Sequence, residues 1–380
     1  MKKILVSLIA IVGVNAHAQF NQELFADDRA RCFAFTDAVT PQQQNIINQL
    51  MGSAVHRQYH FLWHATRGGW DQLSANEQTA LRRNSPVWGN HARLCPMPGA
   101  SATYNPAGEE FLLMHHMMID QLQSTLVSQG LPCIAPWTRI PSDNDATWPV
   151  PNANPWSTQP QDPKGPTARA YIDAWQEWFM DPNFLRVHTL SEVGYALEFT
   201  IHNMLHMRWA ATPRQGDDFP QNLAQVLTPN FLGTQFASPE FNYLGNSYSA
   251  HVNPVFWKLH GWVDQVVAAW LRANGFTRIS FNCPVGDRYC YPWQSRWNGV
   301  SSEPRGGSGH DHHAGHQGHG SHGTPKQDKA LDRAVSKIAR FATFDTFRPS
   351  SEPIGGAGQG QPQTLPNEDP TVYVRANNCR

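Results

Sequence analysis

Histidines set one helical turn apart constrain this chain more than any other feature. His202 and His206 frame the stretch His202-Asn203-Met204-Leu205-His206, and His260 lies in Asn253-Pro254-Val255-Phe256-Trp257-Lys258-Leu259-His260-Gly261-Trp262-Val263-Asp264. Residues at i and i+4 project from the same helix face, so two imidazoles can grip one ion. A third imidazole from the next helix completes a three-histidine site with an open face. Such a site is what oxygen chemistry at copper needs, because imidazole suits copper in both oxidation states. Read this way, the fold has to bring at least two long helices together around a polar centre.

A paired-metal site needs three more imidazoles. The candidates upstream are His56, His60, His64, His91, His115 and His116. His56, His60 and His64 fall at i, i+4 and i+8 of one helix face and cannot easily all surround one ion. His60 and His116 read as neighbours of a site rather than as ligands.

The chain has 380 residues, 40% hydrophobic and only 16% charged, which allows a sizeable core. A formal net charge of -1 leaves no electrostatic footprint for nucleic acid or anionic lipid. Residues 1–18 read as a secretory signal: Lys2 and Lys3, an apolar run from Ile4 to Val14, then Ala16-His17-Ala18 as a cleavage site. That run is too short for a comfortable span and no other segment is apolar enough, so an exported, periplasmic or secreted protein without a membrane partner is expected. Six cysteines, Cys32, Cys95, Cys133, Cys283, Cys290 and Cys379, suggest disulfides in that setting. Cys283 and Cys290 bracket a short loop and form a plausible pair; the other four allow three pairings.

Apolar periodicity predicts a helix from Gln42 to about Trp70, a second from Glu109 to Ser128, others over Ala168–Phe179 and Leu190–Trp209, and one from Pro254 to about Asn274. Pro132 to Pro166 reads as a long ordered loop, and Thr212 to Asn253 as mostly loop. The expected fold is mainly α, a central four-helix bundle holding the metal site, with long loops and few short strands. Residues 19–300 form this domain. Residues 301–326 read SSEPRGGSGHDHHAGHQGHGSHGTPK, a Gly/His-rich flexible linker. Its His310, His312, His313, His316, His319 and His322 are candidates for binding additional copper. Residues 327–380 carry a helix (Lys329–Phe341) and a strand (Thr371-Val372-Tyr373-Val374), which dock on the main domain or stay loose.

With these residues in view, the chain resembles the tyrosinases and catechol oxidases, the type 3 copper proteins that also include haemocyanins. The likeness spans roughly residues 40–275. His202-Asn-x-x-His206 and Asn-Pro-x-Phe-Trp-x-x-His260-x-x-x-Asp264 look like the family's second copper motif, with Asn253 in place of the usual Asp. Trp63-His64-Ala65 and Phe111-Leu112-Leu113-Met114-His115 are similar to parts of its first, with Met114 where the family has Trp and His116 where it has Arg. A loop histidine stands between them in the family, and His91 in Gly89-Asn90-His91 is the one available. The resemblance thus implies two copper ions, one held by His64, His91 and His115, the other by His202, His206 and His260. It also implies that Glu198 and Asn203 hold a water that takes the phenol proton, a sensible role for a carboxylate and an amide beside a metal. Asp264, one turn after His260, is placed to accept an imidazole N–H.

The resemblance implies a copper-dependent oxidase that uses O2 to ortho-hydroxylate monophenols or oxidise o-diphenols to o-quinones. An o-aminophenol oxidase, a strict catechol oxidase and a non-catalytic copper or dioxygen binder are the alternatives. In the family a C-terminal segment often covers the coppers, so residues 327–380 are a candidate lid. Oligomeric state is open.

Overall fold

The computed structural model describes residues 31–84, 107–159, 162–211, 238, 240–293, 329–338 and 369–371. The signal segment, His91, Cys95, Cys379 and the His-rich linker lie outside these residues.

The protein is mainly helical, with four very short strands among the described residues. Helix α1 (Pro41–Met51) starts at a reciprocal cap: Thr40 accepts from the Gln43 amide while the Gln43 side chain accepts from the Thr40 amide. The single helix expected from Gln42 to Trp70 is in fact two. Gly52 ends α1, and Ser53 caps the new helix α2 (Ala54–Gly69) by accepting from the His56 amide. The apolar period runs across the break, so periodicity alone does not reveal it. A further helix, α3 (Ala75–Asn84), was not expected from the apolar pattern; Ser74 and Glu77 form its cap.

Helix α4 (Ala107–Ser128) runs through the core and buries Phe111, Leu112, Leu113, Met114 and Leu122. The expected loop after it opens with a two-residue strand, Cys133–Ile134. It is pinned from below: Arg208 donates to Pro163 O (2.8 Å) and to Asp143 (2.5 Å), and Trp209 Nε1 donates to Trp148 O at 3.0 Å. Helices α5 (Pro166–Met180) and α6 (Pro182–Val187) follow, each with proline in its first turn.

The helix expected over Leu190–Trp209 is interrupted by a wider turn. Helix α7 (Leu190–Leu197) passes into a π-helical segment, Glu198–His202, before α8 (Asn203–Trp209) resumes. Thr200 Oγ1 donates to Ala196 O at 2.6 Å, occupying a carbonyl of the preceding turn. Helix α9 (Pro254–Ala273) starts at Asn253, whose side chain accepts from the Val255 amide.

Strands β1 (Phe35–Thr36) and β2 (Cys133–Ile134) pair in parallel, and Cys32 is bonded to Cys133 beside them. Strands β3 (Arg278–Ser280) and β4 (Cys290–Pro292) pair likewise, with Cys283 bonded to Cys290 as the spacing suggested. Closing a loop of 101 residues stabilises the fold by roughly 2–5 kcal/mol.

In the extension, helix α10 (Lys329–Ile338) packs on α3 and α2, burying Ala334 and Ile338. Lys337 Nζ reaches Glu77 at 2.9 Å. Thr371, expected to open a strand, stands instead in a helical turn with Pro370, because Asp369 accepts from the Thr371 amide at 2.7 Å and caps it. The rest of that expected strand lies outside the described residues. No helix among those residues is long and apolar enough to cross a membrane.

Candidate metal centre

Four helical units meet at the centre, and each brings imidazoles. Helix α2 supplies His60 and His64, α4 supplies His115, the π segment and α8 supply His202 and His206, and α9 supplies His260. Five of these six side chains are 0% exposed and His64 is 7% exposed.

Two triads could each hold a metal ion: His60, His64 and His115, and His115, His202 and His260, with ligand atoms within 4.8 Å of one another in each. His206 adjoins the second, its Nε2 3.2 Å from that of His260. His115 belongs to both, and its ring stacks on His260 at 4.1 Å between centroids. The structure therefore gathers His64, His115, His202, His206 and His260 in one place. It adds His60, which helical spacing had made a neighbour; His91 lies outside the described residues.

Hydrogen bonds fix which nitrogen carries a proton in four of the six rings. A main-chain carbonyl only accepts, so a ring nitrogen facing one must be N–H. His115 Nδ1 donates to Phe111 O at 2.9 Å, and His206 Nδ1 to Leu244 O at 2.9 Å. His202 Nδ1 donates to Asn203 Oδ1 at 3.0 Å. His60 Nδ1 faces Ser247 O at 2.5 Å. In a neutral imidazole the other nitrogen is then a bare lone pair. Burial drives the basicity of these rings down, His60 to about 3 and His202 to about 4, with His64, His115, His206 and His260 also lowered by burial and by one another. Neutral rings with Nδ1 tied to oxygen and Nε2 directed inward are ready metal donors.

The donor set fits a metal on its own geometry. His60 Nε2 and His115 Nε2 face each other at 3.4 Å, and both Nδ1 protons are committed elsewhere. Two lone pairs at this separation repel unless a cation lies between them. The His206–His260 contact is less decisive, since His260 Nδ1 has no hydrogen-bond partner among the described residues and Nε2–H can donate to His206.

The side chains expected beside the metals have other partners. Glu198 is buried, and both its oxygens face Arg67, at 2.6 Å from NH2 and 3.3 Å from Nε. Arg67 also reaches Glu110 at 3.0 Å and lies over the Trp63 ring. Burial lifts the Glu198 carboxyl above its usual range, and the Arg67 guanidinium opposes this. Asn203 turns its oxygen to His202. Asp264 accepts from His116 Nδ1 at 3.0 Å, so the imidazole it serves is the neighbour of His115 rather than a member of either triad.

One residue that no sequence pattern singles out is His251, fully buried, with Nδ1 3.0 Å from His60 Nδ1 and Nε2 3.0 Å from Met51 O. Its only sequence signal is its place just before the helix that carries His260. Compared with known proteins, the chain matches no family model and no curated protein.

Proposed function

We propose that the two histidine clusters hold a pair of copper ions and that the exported protein uses O2 to oxidise o-diphenols to o-quinones. The observation that carries the metal half is the pair of Nε2 atoms of His60 and His115, facing at 3.4 Å with no proton to share. The His115–His260 stack links the clusters, so ions held by them would be neighbours. An all-imidazole donor set suits copper, and the disulfides fit an oxidising compartment. The resemblance of residues 253–264 to the second copper motif of tyrosinases supports the same metal.

The ligands would be His60, His64 and His115 on one side, and His202, His206 and His260 on the other. When bound, the copper pair would supply redox chemistry, passing four electrons from two diphenols to O2 with release of two quinones and two waters. The chain's own contribution is to hold the imidazoles by carbonyl and amide oxygens and to keep water away. Phe111 and Phe256 lie edge or tilted against the ligand rings, with Phe256 only 3.9 Å from His260 between centroids. Diphenols are favoured over monophenols because Glu198, the residue suited to take a phenol proton, has both oxygens on Arg67. The burial of the ligands favours a second reading, a copper or dioxygen binder without turnover.

The test is an absorption spectrum of copper-loaded protein before and after hydrogen peroxide, with O2 uptake measured on catechol and on a monophenol. The expected result is an intense new near-ultraviolet band, two tightly held coppers per chain, rapid uptake with catechol and little with the monophenol. The His202→Ala protein should lose both band and uptake. A band without uptake supports the binder; two coppers without a band overturns the paired site.

A further inference from the structure

His251 has the geometry of a switch-setter for one ligand. It sits in the short 3-10 turn Ala250–Val252, outside every ligand-bearing helix. Its Nε2 faces Met51 O at 3.0 Å, so Nε2 carries the proton and Nδ1 is a lone pair. That lone pair lies 3.0 Å from His60 Nδ1, which also faces Ser247 O at 2.5 Å. Both neighbours of His60 Nδ1 are therefore acceptors, and the His60 proton is held on Nδ1 by two contacts. The ring is held in orientation as well: His251 meets it edge-on, with centroids 4.7 Å apart. His56 packs against the outer side of His251 at 5.1 Å.

We propose that His251 is a positioning residue that fixes His60 as an Nε2 donor and so completes the first metal position. The proposal rests on the metal reading of the triads. The chain Met51 O, His251, His60 delivers a lone pair to the centre with no charged group in it. With His251 replaced by a side chain that cannot accept, His60 keeps only the Ser247 carbonyl and loses one of two restraints on its ring. Partners of this kind typically change metal affinity by about 10–100-fold.

The test uses the full chain loaded with Cu(II) and washed with a competing chelator to strip loosely held copper. His251→Phe keeps the ring but neither accepts nor donates; His251→Gln keeps an acceptor and a donor. A magnetically coupled copper pair gives no electron paramagnetic resonance signal, whereas a lone Cu(II) does. The expected result is that His251→Phe holds one copper at the affinity of the parent and the other about 10–100-fold more weakly, with a mononuclear signal, while His251→Gln restores the silent pair. If His251→Phe keeps two coupled coppers, the proposal is overturned. A parent that never binds a coupled pair overturns the metal reading instead. Should the Phe variant fail to fold, nitrogen-15 spectra of histidine-labelled, metal-free parent decide the matter. They should show His251 protonated on Nε2 and His60 on Nδ1; His60 protonated on Nε2 overturns the assignment.

Discussion

At the scale of single residues, ligand and neighbour differ by what stands behind the ring. That His202, His206 and His260 come together is legible in the sequence, because His202 and His206 stand one turn apart and the residues around His260 form one patterned stretch from Asn253 to Asp264. The place of His60 is not, because the proton on its ring is set by Ser247 and His251, far along the chain. Likewise the carboxylate of Glu198 can be read as a base from its place before His202, but its partner Arg67 lies on another helix. That pair is open to measurement. Arg67 is buried against Glu198 and also reaches Glu110, so Arg67→Met leaves the buried Glu198 carboxylate without its cation and should cost about 3–5 kcal/mol in urea unfolding. Adding Glu198→Gln to that variant should recover part of the loss. A purely additive double-mutant cycle would show that the pair is not coupled.

At the scale of elements, the sequence shows where helices lie better than where they break. The capping residues Ser53 and Thr40 are visible, yet the break at Gly52 falls within a continuous apolar period. The π turn at Glu198–His202 uses the same residue types as an α-helix, and only the Thr200 hydroxyl hints at it. Helix spacing is set by two glycines. A methyl on Gly194 would come within 2.3 Å of Gly108 O, and one on Gly108 within 1.8 Å of Ser191 O. This close contact of α4 with α7 sets how near His115 stands to His202, whose rings are 5.7 Å apart. Gly194→Ala should therefore cost about 1–3 kcal/mol and also weaken copper coupling. Wild-type stability and an unchanged copper spectrum in that variant would show that the helices have slack.

At the scale of the whole molecule, the described residues of the extension meet the rest of the chain at two places. Helix α10 covers α3 and α2, and further along Asp369 meets His188 at 3.3 Å. Hydrogen bonding to Asp369 raises the pKa of His188, with Glu192 adding to it; Asp369 is drawn down to about 2, its bonds to His188 and Thr371 outweighing burial. For His188, whose folded value is the higher, the contribution is full below about 6.5 and fades as pH rises through the raised value. For Asp369 it is present above about 4 and fades as pH falls towards about 2. Attachment should thus be firmest from about pH 4 to 6.5. Amide exchange at Asp369 and Thr371, corrected for its intrinsic pH dependence, should quicken above neutral pH in the parent. His188→Gln should remove that dependence; an unchanged profile in the variant would assign it to another group. The extension's helix could be read from its sequence, but not its seat, which depends on Glu77 and His188 in distant parts of the chain.

The disulfide between Cys32 and Cys133 also divides the molecule in time. His60, His64 and His115 all lie inside its loop, whereas His202, His206 and His260 follow it. A chain made from its N-terminus therefore has every imidazole of the first triad, and both cysteines that enclose them, before His202, His206 and His260 exist. Yet the contacts that decide which nitrogen of His60 is bare come from Ser247 and His251. The first triad has its imidazoles early, but the contacts that place the proton on His60 arrive only with the segment leading into α9.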